Sequence, residues 1–205
     1  MSEPGLRERK KRRTFQNVSD TAVRLFVERG FDAVSVAEVA AAAEISKPTL
    51  FRYFPAKEDL VLHRIADHER EAADVVTAAR AEGVAPLPAL RRRFLDLLAA
   101  ADPVTGLNDD PEVRVFHTLL YGTPALVAGL HAHVERSEAA LADALGGDLD
   151  ARLAAGQIVA VRRVLAEENW RRIEAGERVA AVRPDAVAAT ERAFTGLEAG
   201  LPHFA

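Results

Sequence analysis

The sequence predicts an all-α chain of about nine helices. Three observations carry this: no alternation of apolar and polar residues lasts as long as a strand needs, strong helix formers dominate, and breakers fall at helical intervals. The breakers are Gly30, Glu44 to Ser46, Pro55, Gly83 to Pro88, Asp102 to Pro111, Gly122 to Pro124, Gly146 to Asp148, Gly176 and Pro184.

The first helix runs from about Thr14 to Arg29, with Val18, Ala22, Leu25 and Phe26 on one face, and Gly30 closes it. The second starts at Ser35, whose hydroxyl pairs with Glu38 as a capping box, and stops near Ala43. The third starts at a second hydroxyl cap, Ser46; Pro48 falls in its first turn, where no helical hydrogen bond is lost. Two short helices joined by a turn of about three residues form a helix-turn-helix. Pro55 ends the third helix, and a long fourth one is expected from about Ala56 to Glu82, a continuous lever without a flexible linker. Five more follow, near Leu87 to Ala101, Glu112 to Tyr121, Pro124 to Leu145, Asp150 to Ala175 and Asp185 to Gly200. The expected division is a basic arm at 1–13, a helix-turn-helix domain at 14–60 and a larger helical domain at 61–205.

The 205 residues, 49% of them apolar, are enough to bury a real core. With no cysteine, disulfides and thiolate chemistry are excluded. No uninterrupted apolar run approaches the roughly 18 residues of a membrane span, so a cytoplasmic protein with no membrane partner is expected. The net charge of -4 conceals an asymmetry. Residues 1–64 hold 12 Lys and Arg against 9 Asp and Glu, whereas the remainder holds 15 against 22. The basic part is densest in RERKKRR, Arg7 to Arg13, so Arg12 and Arg13 are candidates for contact with nucleic acid.

The stretch SKPTLFRYFPAKEDL, Ser46 to Leu60, mixes aromatics with cations. Helical spacing groups Leu50, Phe51 and Phe54 as an inward face and sets Thr49, Arg52 and Tyr53 on another. With Lys47 and Lys57, that second set offers a long bidentate donor for base edges and shorter donors for phosphates.

AVRLFVERGFDAVSV, VAEVAAAAEIS and TLFRYFPAKEDL together resemble the N-terminal DNA-binding domain of the TetR/AcrR family over about Arg12 to Leu60. The resemblance implies a homodimer reading two half-sites of a double-stranded DNA operator, and a C-terminal helical domain for dimerisation and a small-molecule effector. It places base reading on Lys47, Pro48, Thr49 and Arg52 and phosphate contact on Tyr53 and Lys57. Three departures stand out. Phe51 stands where many members have a tyrosine that reaches a phosphate, Glu44 replaces the usual turn glycine, and Ala56 replaces the serine cap of the fourth helix. The C-terminal part, in PALRRRFLDLLAA, TPAL, EAALADALG and ARLAAGQIVAVRRVLAEENW, resembles a subgroup with acyl-CoA-like ligands. The implied activity is a ligand-responsive repressor. The alternative is a helix-turn-helix regulator controlled by a protein partner or lacking an effector.

In the C-terminal part, Phe94, Leu98, Phe116, His117, Leu120 and Tyr121 are the expected effector pocket, because His117 and Tyr121 share a face and give polar tips to an apolar wall. Trp170 and Asn169 are added from the eighth helix, and Arg91 to Arg93 form a solvated face that a phosphate-bearing ligand could use. The expected dimer seam is the stripe Ile158, Val161 and Leu165, with the small-residue face Ala189, Ala193, Gly196 and Gly200 on the ninth helix. No phosphate loop, nucleophile elbow or HExxH motif is present, and the six histidines do not cluster, so neither an enzyme, a metal nor a cofactor is expected.

Overall fold

The computed structural model describes residues 6–205 apart from Asp67, with side chains from Arg13 onward. The described residues are helical, without a strand: α1 (Leu6–Arg29), α2 (Val36–Ala42), α3 (Lys47–Tyr53), α4 (Asp59–Ala66), α5 (Glu71–Ala81), α6 (Pro86–Ala99), α7 (Pro111–Gly122), α8 (Pro124–Leu145), α9 (Leu149–Glu174) and α10 (Val179–Gly200). A 3₁₀ turn, Pro103–Thr105, follows α6.

Three helix boundaries differ from expectation. The basic run Arg7 to Arg13 is the start of α1 and no separate arm, because nothing after Gly5 interrupts a run of strong helix formers. The expected lever is two helices, α4 and α5, separated by a turn at 68–70. No proline or glycine marks that turn. Its Glu69 carboxylate accepts from Arg136 Nε of α8 at 2.9 Å and lies 3.2 Å from His133 Nδ1, so a long-range contact holds it. Finally, α10 begins before Pro184 and runs through it, the ring lying on the exposed side.

The chain divides into two compact units, one of 1–66 with 115–131 and one of 67–114 with 132–205, so the division does not fall at residue 60. Leu120 and Leu126 of α7 and α8 belong to the apolar cluster of the first unit, and that is why 115–131 goes with it.

In the first unit α1 buries Val18, Ala22 and Phe26. Gly30, at φ +88°, ends it by donating to Phe26 O at 2.9 Å, and Phe31 returns to pack on Phe26 with ring centroids 4.9 Å apart. Ser19 Oγ, buried, donates to Leu60 O at 2.8 Å and ties α1 to α4. Gly129 of α8 lies against α4, where an added Cβ would be 2.3 Å from Leu62 Cδ1.

The second unit is built on Leu87, Leu90, Phe94 and Leu98 of α6, Ala154 and Ile158 of α9 and Phe194 of α10. Glu71 crosses this packing with one carboxylate oxygen on Arg93 Nε at 2.6 Å and the other on Arg162 at 2.8 Å. Burial pushes the Glu71 carboxyl up, but the Arg162 charge and the bonds from both arginines outweigh it and hold the group below the usual range. The turn after α6 is capped by Asp102, which accepts from Val104 N at 3.0 Å, and Asn169 of α9 donates to Thr105 O at 2.9 Å. Gly106 sits there at φ +69°, and an added Cβ would lie 2.0 Å from Ala166 O.

Gly106 and Gly30 therefore separate two costs of a side chain. Gly30→Ala meets only the left-handed conformation and should lose about 1 kcal/mol, whereas Gly106→Ala also overpacks a backbone and should lose about 2–4 kcal/mol. Urea denaturation of the two variants beside the wild type measures the difference.

Candidate nucleic-acid interface

The helix-turn-helix is set by local chemistry. The Ser35 N–H donates to Glu38 Oε2 at 2.8 Å while Ser35 Oγ accepts from the Glu38 N–H at 3.2 Å. Arg29 holds the other carboxylate oxygen at 2.7 Å. The Ser35 backbone bond, then the Arg29 bond, lower the Glu38 pKa to about 2. Helix α2 ends in a left-handed residue, Glu44 at φ 55°, and the Ile45 N–H reaches back to Ala40 O at 3.0 Å. The turn is thus the one a glycine would make, carried by a residue for which that conformation costs about 1–2 kcal/mol. Helix α3 is capped by Ser46, which accepts from the Thr49 N–H at 3.3 Å, its hydroxyl also 2.7 Å from Thr49 Oγ1. With no cap hydroxyl at Ala56, the other half of a capping box remains: Asp59 Oδ2 accepts from the Ala56 N–H at 2.8 Å.

Helix α3 buries Leu50 and Phe54 and exposes Lys47, Pro48, Phe51 and Arg52. Two of the expected faces are exchanged. Phe51, expected in the core with Leu50 and Phe54, is 41% exposed and carries Lys47 Nζ 5.8 Å from its ring centroid. Tyr53, expected outward, is half-buried and meets Phe15 edge to face at 4.9 Å. The cause is Phe15, which also packs on Phe54 at 4.7 Å and so draws the 53–54 edge of α3 onto α1.

Other expected contacts are turned to internal use. Lys57 Nζ donates to Phe31 O and lies 4.3 Å from the centroid of the Phe31 ring, so it faces the unit's own core edge. Thr49 is half-buried, with its hydroxyl at the Ser46 cap. Arg13 is exposed on α1, and the Arg12 side chain lies outside the described residues.

The residues expected to form an effector pocket are distributed over both units. Phe94 and Leu98 are in the core of the second, and Phe116 and Leu120 pack in the cluster of the first. His117 stacks on Tyr121 with centroids 4.2 Å apart, and Tyr121 is half exposed. Trp170 and Asn169 are buried in α9, Asn169 holding the turn described above. Arg93 is committed to Glu71, and Arg91 lies 3.4 Å from Glu198. None of the expected pocket residues lines the depression of about 420 Å³ formed by Asp150, Leu153, Gln157 and residues 200–204.

The expected dimer stripe is also displaced. Ile158 is fully buried in its own core, with Val161 and Leu165 packed against that core, so this face of α9 is occupied. The unpartnered apolar residues are Leu149, 66% exposed, Leu153, 56%, and Val164, 53%, with Val187 on α10. Ala189 and Ala193 are half-buried, whereas Gly196 and Gly200 are exposed and would admit a Cβ with nothing within 4 Å. The signal available in the sequence was the spacing of Leu149, Leu153, Ala160 and Val164, which share one face of α9.

Burial lowers the His117 pKa to about 4, and the His133 pKa is lowered by burial too, against the opposing pull of Glu69. Both imidazoles are neutral in the fold near neutral pH. Unfolding lets them take up a proton near pH 6.5, so the stability they confer is complete above that pH and is lost as pH falls below it, for His117 down to about 4. Thermal midpoints measured from pH 7 to 5 should fall, and His117→Phe should flatten part of that slope.

The model of the family described as bacterial regulatory proteins, tetR family, matches residues 19–63, which contain α2, α3 and their caps. Over 181 residues the chain is 30% identical to the HTH-type transcriptional regulator TcmR of Streptomyces glaucescens, covering 83% of this chain and 79% of that protein. Among solved structures it is similar to NalD, the secondary repressor of the MexAB-OprM multidrug efflux pump in Pseudomonas aeruginosa, with a TM-score of 0.56 at 15% identity over 90% of this chain and 97% of that one. It is similar too to Thermus thermophilus FadR in complex with lauroyl-CoA, with a TM-score of 0.52 at 21% identity over 89% and 92% of the two chains. At these identities the two structures speak for the fold alone.

Proposed function

The chain belongs to the tetR family of bacterial regulatory proteins and is a DNA-binding transcriptional regulator; from that premise we propose that it is a homodimeric, ligand-responsive repressor acting in the cytoplasm. The observation that carries the reading is the exposed face of α3, where Lys47, Pro48, Phe51 and Arg52 stand together on a helix anchored by Leu50 and Phe54. Arg52 is its long bidentate donor, suited to guanine O6 and N7, and Lys47 is the point charge beside it. Pro48 adds a rigid apolar contact, and Arg13 reaches the flanking phosphates. Tyr53 and Thr49 contribute by holding α3 in place, and Lys57, seated on Phe31, gives a phosphate contact only by leaving it.

A gel shift with duplexes from the regulator's own promoter region should show sequence-specific, salt-sensitive binding. Arg52→Ala should weaken the specific complex by about 1–3 kcal/mol and relax sequence preference at one base pair per half-site. Equal loss on every sequence would assign Arg52 to phosphate instead.

Dimerisation is the second element. Leu149, Leu153 and Val164 of α9 with Gly196 and Gly200 of α10 form the face we assign to the partner protomer, and the depression beside Leu153 gives a partner side chain a seat. Leu153→Glu should yield monomers by analytical ultracentrifugation and should lose operator binding with them, because two half-sites are then no longer held at a common spacing.

The effector is proposed to be an acyl-type molecule. Support comes from the C-terminal stretches noted in the sequence and from the fold shared with a regulator crystallised with lauroyl-CoA. A coupling of about 1–3 kcal/mol between effector and operator is enough to regulate. Titrating acyl-CoAs of increasing chain length into the protein–operator complex tests this, and release by none of them favours control by a protein partner.

A further inference from the structure

The exposed ring of Phe51 has no role in the fold and stands where base pairs are read. Phe15 and Tyr53 are packed on each other, Phe26 and Phe31 are buried together, and Phe54 is 1% exposed, yet Phe51 is 41% exposed beside them. Successive helical residues are about 100° apart, which puts Phe51 between Lys47 and Pro48 on the outward arc, with Arg52 beyond Pro48. It therefore stands on the Lys47 side of that arc, next to the cation and within it. Lys47 Nζ lies 5.8 Å from its ring centroid, so a cation accompanies the ring toward the negative DNA surface.

A phenyl ring offers no hydrogen-bond donor or acceptor, so Phe51 cannot bind a phosphate oxygen as a hydroxyl can, nor the polar edges of guanine, adenine or cytosine. In the major groove one base presents an apolar group, the C5 methyl of thymine. We propose that Phe51 is a specificity-determining residue that reads one thymine in each operator half-site through its C5 methyl, while Arg52 and Lys47 supply the polar contacts on either side. This rests on the DNA-binding reading of α3 and adds a base to it. The same chemistry predicts acceptance of 5-methylcytosine at that position, since it carries a methyl at the same ring carbon.

The test uses full-length protein and an operator selected by that protein from a random duplex pool. Each thymine is replaced in turn by deoxyuridine, which keeps base pairing and removes only the methyl. Losing one buried methyl group is worth about fourfold in Kd. Wild-type protein should lose about fourfold at one symmetry-related thymine pair and little elsewhere. Phe51→Ala, at an exposed position and with an unchanged circular dichroism spectrum, should bind the thymine and deoxyuridine operators equally. Replacing the critical T·A pair by 5-methyl-C·G should bind wild type better than unmethylated C·G. A selected operator bound tightly without any deoxyuridine-sensitive position would overturn the proposal alone, as would equal deoxyuridine sensitivity in Phe51→Ala. Failure of wild-type protein to select any operator would overturn the DNA-binding reading, and this one with it.

Discussion

A helix of seven residues has almost no stability of its own in water, and α3 is such a helix. Everything it presents outward follows from what holds it inward. Leu50 and Phe54 are buried, Phe54 lies against Phe15 and His63, and Tyr53 closes the edge against the same Phe15. Once those rings are placed, the rotation of α3 about its axis is set, and Lys47, Pro48, Phe51 and Arg52 are the residues left facing solvent. The buried Ser19 to Leu60 bond extends the constraint to the next helix by tying α1 to α4. The chemistry that α3 presents to solvent is thus a consequence of packing on α1, two helices away in sequence.

Much of the fold was legible because its signals are local. Ser35 with Glu38 and Ser46 mark helix starts through side chains, and Gly30 marks a helix end through its backbone, all acting within four residues, and each makes the bond its position implies. The identity of Phe51 and Tyr53 as outward or inward was not legible from spacing, because over two turns an apolar arc can be drawn through either residue. Phe15, 38 residues before Tyr53, decides between them. The interruption between α4 and α5 was hidden for the same reason. No breaker stands at 68–70, and the contacts that hold Glu69 come from His133 and Arg136 in a distant helix.

The apolar stripes of α9 show how a long amphipathic helix misleads. Two apolar stripes were present, and Ile158, Val161 and Leu165 stand at close, regular spacing in the middle of the helix, so they drew the assignment. Those residues serve their own protomer's core, and the weaker stripe of Leu149, Leu153, Ala160 and Val164 is the one left in solvent. A pocket was harder still to read, since Phe94 and Phe116 look alike in sequence and belong to separate apolar clusters.

The central claim is the rotational setting of α3, with Phe51 outward and Tyr53 inward. Hydroxyl-radical labelling followed by mass spectrometry reads both rings in the native protein, with operator duplex and with a scrambled duplex as control. The account predicts that Phe51 is labelled strongly in the free protein and is protected by operator alone, while Tyr53 is labelled weakly and changes little. Strong labelling of Tyr53 that the operator suppresses, with Phe51 unlabelled throughout, would contradict it.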